Sequence, residues 1–266
     1  MICVQSGDAD IYYQSLGSGA PVVLLHPFPV HHEFWLPVIP PLATKYRLIL
    51  PDLRGHGQSG IGEGPATMDR HASDIARILD HAEIDRAAFV GVSIGGYVLF
   101  ECWRRFRTRI AALALCNTKA QADSAEARAA RLQAAAEVLD LGTEPFFEGL
   151  IPKLIGKTTR ELRPDLIEGA LKMMRKMSAQ DVSAVQRGMA DRPDSIAILR
   201  TINFPTLIVT GDQDGFAGPE EATLMHGHIS GSQLKIIARA GHYAPWEHPV
   251  EVGRILKQFL DVVHGA

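Results

Sequence analysis

The 266-residue sequence has few cysteines and no excess of positive charge. Cys3, Cys102 and Cys116 lie far apart, so neither a disulfide framework nor a cysteine zinc site is predicted. With 27 basic and 30 acidic residues the formal net charge is -3, which argues against a nucleic-acid-binding surface. We expect a small-molecule substrate as the partner, with no nucleic acid, membrane, metal or cofactor involved.

Long apolar segments are missing as well. No run approaches the roughly 20 apolar residues that cross a bilayer, and residues 1–8 lack the basic start and apolar stretch of a secretion signal. The sequence therefore predicts a cytoplasmic protein. Hydrophobic residues nevertheless make up 46% of the chain, which is enough for the core of one main α/β domain.

Apolar runs alternate with helical patterns along the chain. Two short alternating runs, at residues 2–4 and 11–13, predict an N-terminal antiparallel hairpin. Six further runs have the pattern of strands buried on both faces: 21–25, 47–50, 87–92, 110–115, 206–209 and, more weakly, 234–237. Helical candidates lie between them, at 33–45, 68–82, 95–107, 219–228 and 249–263. This alternation predicts an α/β fold with a mostly parallel, doubly wound sheet.

One interval is too long for a single crossover connection. About ninety residues, rich in helix formers, separate the predicted strands at 110–115 and 206–209. They predict an inserted helical cap. The expected organisation is a core of residues 1–118 and 197–266 with a cap of residues 119–196.

The stretch with the clearest chemical pattern is Gly91-Val92-Ser93-Ile94-Gly95. An apolar strand pattern ends there and a helical pattern begins, so Ser93 lies at a sharp strand-to-helix turn. The two glycines leave room for such a turn. Taken alone, the motif has two interpretations: a glycine-rich turn with a capping serine, or a nucleophile facing the positive end of the following helix.

A nucleophilic serine needs a base, and the base needs a carboxylate to orient it. Asp212 and Asp214 follow one predicted strand downstream of Ser93, and His242 follows the next. Catalytic groups collect at the carboxyl ends of the strands in open α/β sheets. Three such residues after three strands favour the nucleophile interpretation.

Together these motifs resemble those of α/β-hydrolase-fold proteins with a helical cap, over about residues 20–262. The segments that carry the resemblance are LLHPFP at 24–29, DLRGHGQS at 52–59, GVSIG at 91–95, GDQD at 211–214, GH at 241–242, EHP at 247–249 and FL at 259–260. The resemblance implies that Ser93 is the nucleophile and His242 the general base. Asp214 would hold His242, with Asp212 as the competitor for that role.

The same resemblance implies an oxyanion hole formed by the backbone N–H groups of Phe28 and Ile94. The family usually has His-Gly before the first donor, whereas this chain has His26-Pro27. Prolines on both sides of Phe28 predict a rigid loop, and we expect the peptide bond before Pro27 or Pro29 to be cis.

Several side chains are candidates for the substrate pocket. They are Trp35, Phe146, Phe147, Met173, Met174, Met177, Phe216 and Tyr243. The three methionines lie on one face of a predicted cap helix, which fits either packing against the core or an apolar roof over the pocket. The histidines at 26, 31, 32 and 56 are expected to be structural or to rim the pocket.

The predicted activity is that of a serine hydrolase that cleaves a carboxylic ester or lactone of a small, largely apolar substrate through an acyl-enzyme. Two observations argue against haloalkane dehalogenases and epoxide hydrolases: the residue at the strand-to-helix turn is a serine, and the predicted cap contains no tyrosine. A carbon–carbon bond hydrolase or a cofactor-free perhydrolase would use the same triad. A ligand receptor that retains the fold is an alternative of another class.

Overall fold

A computed structural model describes residues 1–265, which form one eight-stranded sheet with helices around it. The strands are β1 (Ile2–Ser6), β2 (Ala9–Leu16), β3 (Ala20–Leu25), β4 (Tyr46–Pro51), β5 (Ala87–Val92), β6 (Ile110–Cys116), β7 (Thr206–Gly211) and β8 (Gln233–Ile237). Every predicted strand is present. The turn of the N-terminal hairpin falls at residues 7–8, as the Gly-Asp pair predicts.

The sheet is mostly parallel, with strand order β1-β2-β4-β3-β5-β6-β7-β8. Only the β1–β2 and β2–β4 pairs are antiparallel among the described strands. β5 lies near the middle and is buried along its whole length, which explains its continuous apolar run. β8 differs from its prediction because it is the edge strand, and most of its residues reach solvent.

Helices connect the strands. Their bounds are α1 (Pro40–Ala43), α2 (Met68–His81), α3 (Ile94–Phe106), α4 (Ala125–Leu141), α5 (Glu144–Leu154), α6 (Lys157–Leu162), α7 (Pro164–Met174), α8 (Ala179–Ala190), α9 (Ile196–Leu199), α10 (Pro219–His228), α11 (Ala244–Glu247) and α12 (Pro249–Val263), with 3₁₀ helices at His32–Val38 and Arg107–Arg109. The helix predicted at 33–45 is broken because Pro37, Pro40 and Pro41 interrupt it, so a 3₁₀ helix and the short α1 replace it.

Helices α4 to α8 all lie between β6 and β7, where the sequence predicts an inserted cap. α4 packs along α8, and α5 contacts both α4 and α7. Met173, Met174 and Met177 are buried, which agrees with the interpretation that this face packs internally. The exact division into a core and a cap of residues 119–196 stays a prediction. No helix within residues 1–265 is both long and apolar enough to cross a membrane.

Candidate active site

Ser93 lies between β5 and α3 in a backbone conformation that non-glycine residues rarely adopt, with φ 55° and ψ -115°. The glycines two residues away make this turn possible. A Cβ on Gly91 would lie 2.6 Å from the backbone carbon of Gly95, and a Cβ on Gly95 would lie 2.6 Å from the carbonyl oxygen of Leu25. The spacing of the motif therefore follows from the close approach of helix and sheet.

Hydrogen bonds from β6 and the residues after it hold the Ser93 backbone. The Ser93 amide donates to the Cys116 carbonyl oxygen at 3.1 Å, and the Thr118 hydroxyl donates to the Ser93 carbonyl oxygen at 2.8 Å. The Ser93 side chain itself is only partly buried and lines a cavity. A fixed backbone with an accessible hydroxyl is the arrangement that a serine nucleophile requires.

His242 reaches the same cavity and is paired with Asp214. Its Nδ1 lies 2.9 Å and 2.8 Å from the two Asp214 carboxylate oxygens, and both side chains are buried. Asp212 is exposed instead, so the structure places Asp214 and not its competitor against the histidine. Burial would raise the pKa of Asp214, but the charge and hydrogen bond of His242 and the N–H groups of Asn117 and Ala217 lower it to about 2.

Because an ionised carboxylate only accepts hydrogen bonds, Nδ1 of His242 carries a proton and donates a hydrogen bond to Asp214. In a neutral ring this leaves the Nε2 lone pair free to accept a proton. The backbone amides of Phe216 and Ala217 donate to Asp214 at 2.8 Å and 3.0 Å, so the carboxylate cannot rotate without losing several donors.

Asn117 is a site residue that sequence reasoning missed. Its Nδ2 donates to Asp214 at 2.9 Å and to the Gly241 carbonyl oxygen at 3.1 Å, so one side chain joins the loops that carry the acid and the histidine. The available signal was its position directly after β6, between the strands that precede Ser93 and Asp214.

The two proposed oxyanion donors have no competing acceptor. Neither the Phe28 amide nor the Ile94 amide donates a hydrogen bond to another group of residues 1–265. The Phe28–Pro29 peptide bond is cis, which confirms that expectation.

His26 fixes the loop because its Nε2 accepts from the Leu53 amide at 2.9 Å while its Nδ1 lies 2.9 Å from the Pro27 carbonyl oxygen. Burial, with His56 nearby, lowers the pKa of His26 well below its usual value.

The other predicted structural histidines belong to the same loops. His56 is buried, packs edge-on against Phe28, and has a pKa that burial lowers to about 4. His31, His32 and Asp52 bring possible ligand atoms within 4.8 Å of one another. The Asp52 oxygens, however, already accept from the backbone of His32, the His32 ring and the Gln58 amide, so these residues brace the loop.

The cavity next to Ser93 has a volume of about 300 Å³, within the size range of small-molecule sites. Its apolar lining comes from both the sheet side and helices α4, α5 and α8. These apolar residues include Phe28, Tyr97, Phe146, Leu150, Leu154, Met189 and Phe216. Lys119, Asp123 and Arg131 also line it, so the mostly apolar wall of the cavity contains a cluster of charged side chains.

Of the eight predicted pocket residues, Phe146 and Phe216 line this cavity. The other six lie in the packed interior: Trp35, Phe147, Met173, Met174, Met177 and Tyr243. Tyr243, for example, is fully buried and donates its hydroxyl hydrogen to the Phe28 carbonyl oxygen at 3.0 Å. None of these six side chains lines the cavity in this structure, and packing in the interior accounts for their apolar character.

Comparison with known proteins places this chain in a family. The family model described as the alpha/beta hydrolase fold matches residues 20–249, which is most of the chain. The chain belongs to the alpha/beta hydrolase fold family. The resemblance inferred from its motifs is therefore confirmed, as are the fold class and the prediction that the protein is a hydrolase.

Individual members are similar over most of their length. A thermophilic esterase from Thermogutta terrifontis, solved with malate bound, is 35% identical with a TM-score of 0.95, and the match covers 99% of this chain and 98% of that chain. 3-Oxoadipate enol-lactonase 2 of Acinetobacter baylyi is 29% identical over 82% of this chain and 79% of that protein. The enol-lactonase of Burkholderia xenovorans, 22% identical, shares the fold with a TM-score of 0.91 over 97% and 99% of the two chains.

Proposed function

We propose that this alpha/beta hydrolase cleaves a carboxylic ester or lactone of a small molecule, with Ser93, His242 and Asp214 as its catalytic triad. The observation that carries the proposal is that Ser93 and His242 line one cavity while Asp214 is paired with the far side of the histidine ring. The esterase and enol-lactonase relatives support this substrate class.

In the proposed mechanism the Ser93 Oγ attacks the carbonyl carbon, and its proton passes to Nε2 of His242. The resulting imidazolium is stabilised by the ionised Asp214. The negative charge that develops on the carbonyl oxygen would be received by the free amides of Phe28 and Ile94. His242 then protonates the leaving alkoxide, which leaves an acyl group on Ser93.

Water completes the cycle by the same route. His242 takes a proton from water as the hydroxide attacks the acyl carbon, and the proton returns to Ser93 Oγ when the carboxylic acid leaves. With a lactone, acid and alcohol are the two ends of one product.

The test is to label the protein with a fluorophosphonate probe and measure turnover of short activated esters. The Ser93→Ala variant should lose the label, and its kcat should fall at least about a thousandfold because the nucleophile is removed. Ser18→Ala, which alters an exposed turn serine, is the matched control and should behave like the parent. Label retained in Ser93→Ala, or turnover near the parental rate, would refute the proposal.

A further inference from the structure

The wall of the candidate active-site cavity contains a cationic corner, defined here as Lys119 and Arg131 with their shared neighbour Asp123. All three residues line the cavity that Ser93 and His242 also line. Lys119 follows β6, whereas Arg131 lies on α4. The corner therefore joins the end of the sheet to the first helix of the inserted segment.

The single carboxylate of this corner is already engaged. Asp123 accepts from Arg131 Nε at 2.6 Å and from Arg192 Nη2 at 2.7 Å, and its side chain is 2% exposed. Arg192 lies behind the corner, with its guanidinium carbon 4.3 Å from the centroid of the Tyr97 ring. Two arginines thus share one acid, and little of its negative charge is left for a third cation.

Lys119 is that third cation. Its Nζ lies 3.9 Å from Asp123, too far for a hydrogen bond, and the ammonium has no hydrogen-bond acceptor among the described residues. Only 23% of its side chain is exposed. Burial, followed by the positive charge of Arg192, lowers the pKa of Lys119, although Asp123 and Glu221 oppose this. A partly buried ammonium with three unused donors is the group that an anion in the cavity would stabilise.

Arg131 offers a donor as well. Its Nε is bonded to Asp123 and its Nη1 to the Gln186 side-chain oxygen at 3.0 Å, while Nη2 has no acceptor within residues 1–265. With Arg192 behind the corner, three cations surround the one carboxylate of Asp123, so positive charge is in excess at this part of the cavity wall. The excess favours an anionic group such as a carboxylate, and Lys153 adds a further, exposed cation to the lining.

From these observations we infer that the substrate is an anionic ester or lactone whose free carboxylate binds to Lys119 and Arg131, while its scissile carbonyl faces Ser93. The inference rests on the proposed function and narrows its substrate class. A cavity of about 300 Å³ that holds both groups accommodates one small molecule, so the anion and the reacting carbonyl belong to the same ligand.

The experiment compares two pairs of esters by pH-stat titration. The two esters of the first pair differ only at the free end of the acyl chain of a six-carbon ester, which carries either a carboxylate or a neutral carboxamide. The two esters of the second pair differ in the same way at the free end of the alcohol chain. Within at least one pair the parent protein should show a kcat/KM at least about tenfold higher for the carboxylate, as expected for one charge-assisted contact. Raising the salt concentration should reduce this preference.

Variants locate the effect. Lys119→Met and Arg131→Gln should each bring the carboxylate-to-carboxamide ratio close to one, whereas Lys119→Arg should retain most of the preference. Lys157→Met removes the same charge from the exposed side of α6 and should leave the ratio unchanged. Circular dichroism of every variant verifies that the fold is retained.

The outcomes separate the two proposals. If the carboxamide esters are hydrolysed as fast as the carboxylates in both pairs, the anion site is refuted and the proposed function stands. A preference that persists in Lys119→Met and Arg131→Gln also refutes it. If no ester is hydrolysed and no fluorophosphonate label is incorporated, the proposed function fails and this inference fails with it.

Discussion

A single backbone turn fixes which residues are allowed around Ser93. Ser93 has a positive φ, and a Cβ added to Gly91 or Gly95 would lie closer to neighbouring backbone atoms than van der Waals contact allows. The approach of α3 to β3 and β5 therefore requires glycine at both positions. For this reason the five-residue motif could be interpreted from the sequence. The same reasoning could not find Asn117, because an amide after a strand has many possible partners until the loops are placed.

At this scale we predict that Gly95→Ala destabilises the protein. The added Cβ would lie 2.6 Å from a backbone oxygen of Leu25, which cannot move aside as a flexible side chain could. We expect a loss of about 1–3 kcal/mol in the free energy of unfolding, the usual range for overpacking. Urea denaturation followed by circular dichroism measures it.

Gly149→Ala is the matched control for that substitution. Gly149 lies inside α5, and a Cβ there meets nothing within 4 Å. Alanine favours the helix over glycine by roughly 0.5–1 kcal/mol, so this variant should be as stable as the parent or slightly more stable. Equal stabilities of the two variants would contradict the steric explanation.

At the scale of elements, the short link between α5 and α6 is bonded to the loop that carries His242. The buried Glu247 accepts from the Gly156 amide at 3.0 Å and from the Gly241 amide at 2.9 Å. Burial raises the pKa of Glu247. One carboxylate therefore holds two loops from distant parts of the chain in contact.

We predict that Glu247→Gln lowers the free energy of unfolding by about 1–3 kcal/mol, because an amide has one acceptor oxygen for two buried N–H donors. Thermal or urea denaturation measures the change. Glu251→Gln, on the exposed face of α12, removes the same charge and should have little effect. A loss of similar size in both variants would show that charge rather than the two hydrogen bonds matters.

Elements were predictable from the sequence where local pattern decides them. The continuous apolar run at 87–92 correctly predicted strand β5. The prolines at 37, 40 and 41 are the residues that interrupt the helix expected at 33–45, so the sequence already contained the signal for this break. The edge position of β8 was not predictable, because apolar content alone does not say which strand lies outermost. Strand order is set by tertiary packing.

At the scale of the whole molecule, buried carboxylates link stability to pH. Asp52 accepts several N–H donors, and although burial raises its pKa, the hydrogen bond and charge of His32 lower it to about 2. Because this folded value is below the ordinary 3.8, the stabilisation is present above about pH 4 and is lost as the pH falls toward 2.

We predict that Asp52 contributes about 1 kcal/mol to the loss of stability between pH 5 and pH 3. Urea denaturation across this range should therefore give a flatter pH dependence for Asp52→Asn than for the parent, apart from any uniform loss. Superimposable slopes for the two proteins would contradict the prediction. Asp214, with a pKa of about 2, has the same sign and adds to the acid sensitivity of the parent.

The pocket is also a property of the whole molecule, and the sequence predicted it least well. Apolar character could not separate Trp35 or Met173, which are packed inside, from Phe146, which lines the cavity. Lys119 and Arg131 carry no motif at all. Their shared place in the cavity wall appears only in the folded chain, where Lys119 follows β6 and Arg131 lies on α4.

The contact between Gly156 and Gly241 has a consequence for protein engineering. A Cβ on Gly241 would lie 2.2 Å from the Gly156 amide nitrogen, so this junction accepts no side chain on that residue. By contrast, Ala127, Ala130 and Ala134 present small side chains of α4 to the cavity. Libraries that aim to change which substrates are accepted should therefore vary these three alanines and keep both glycines fixed.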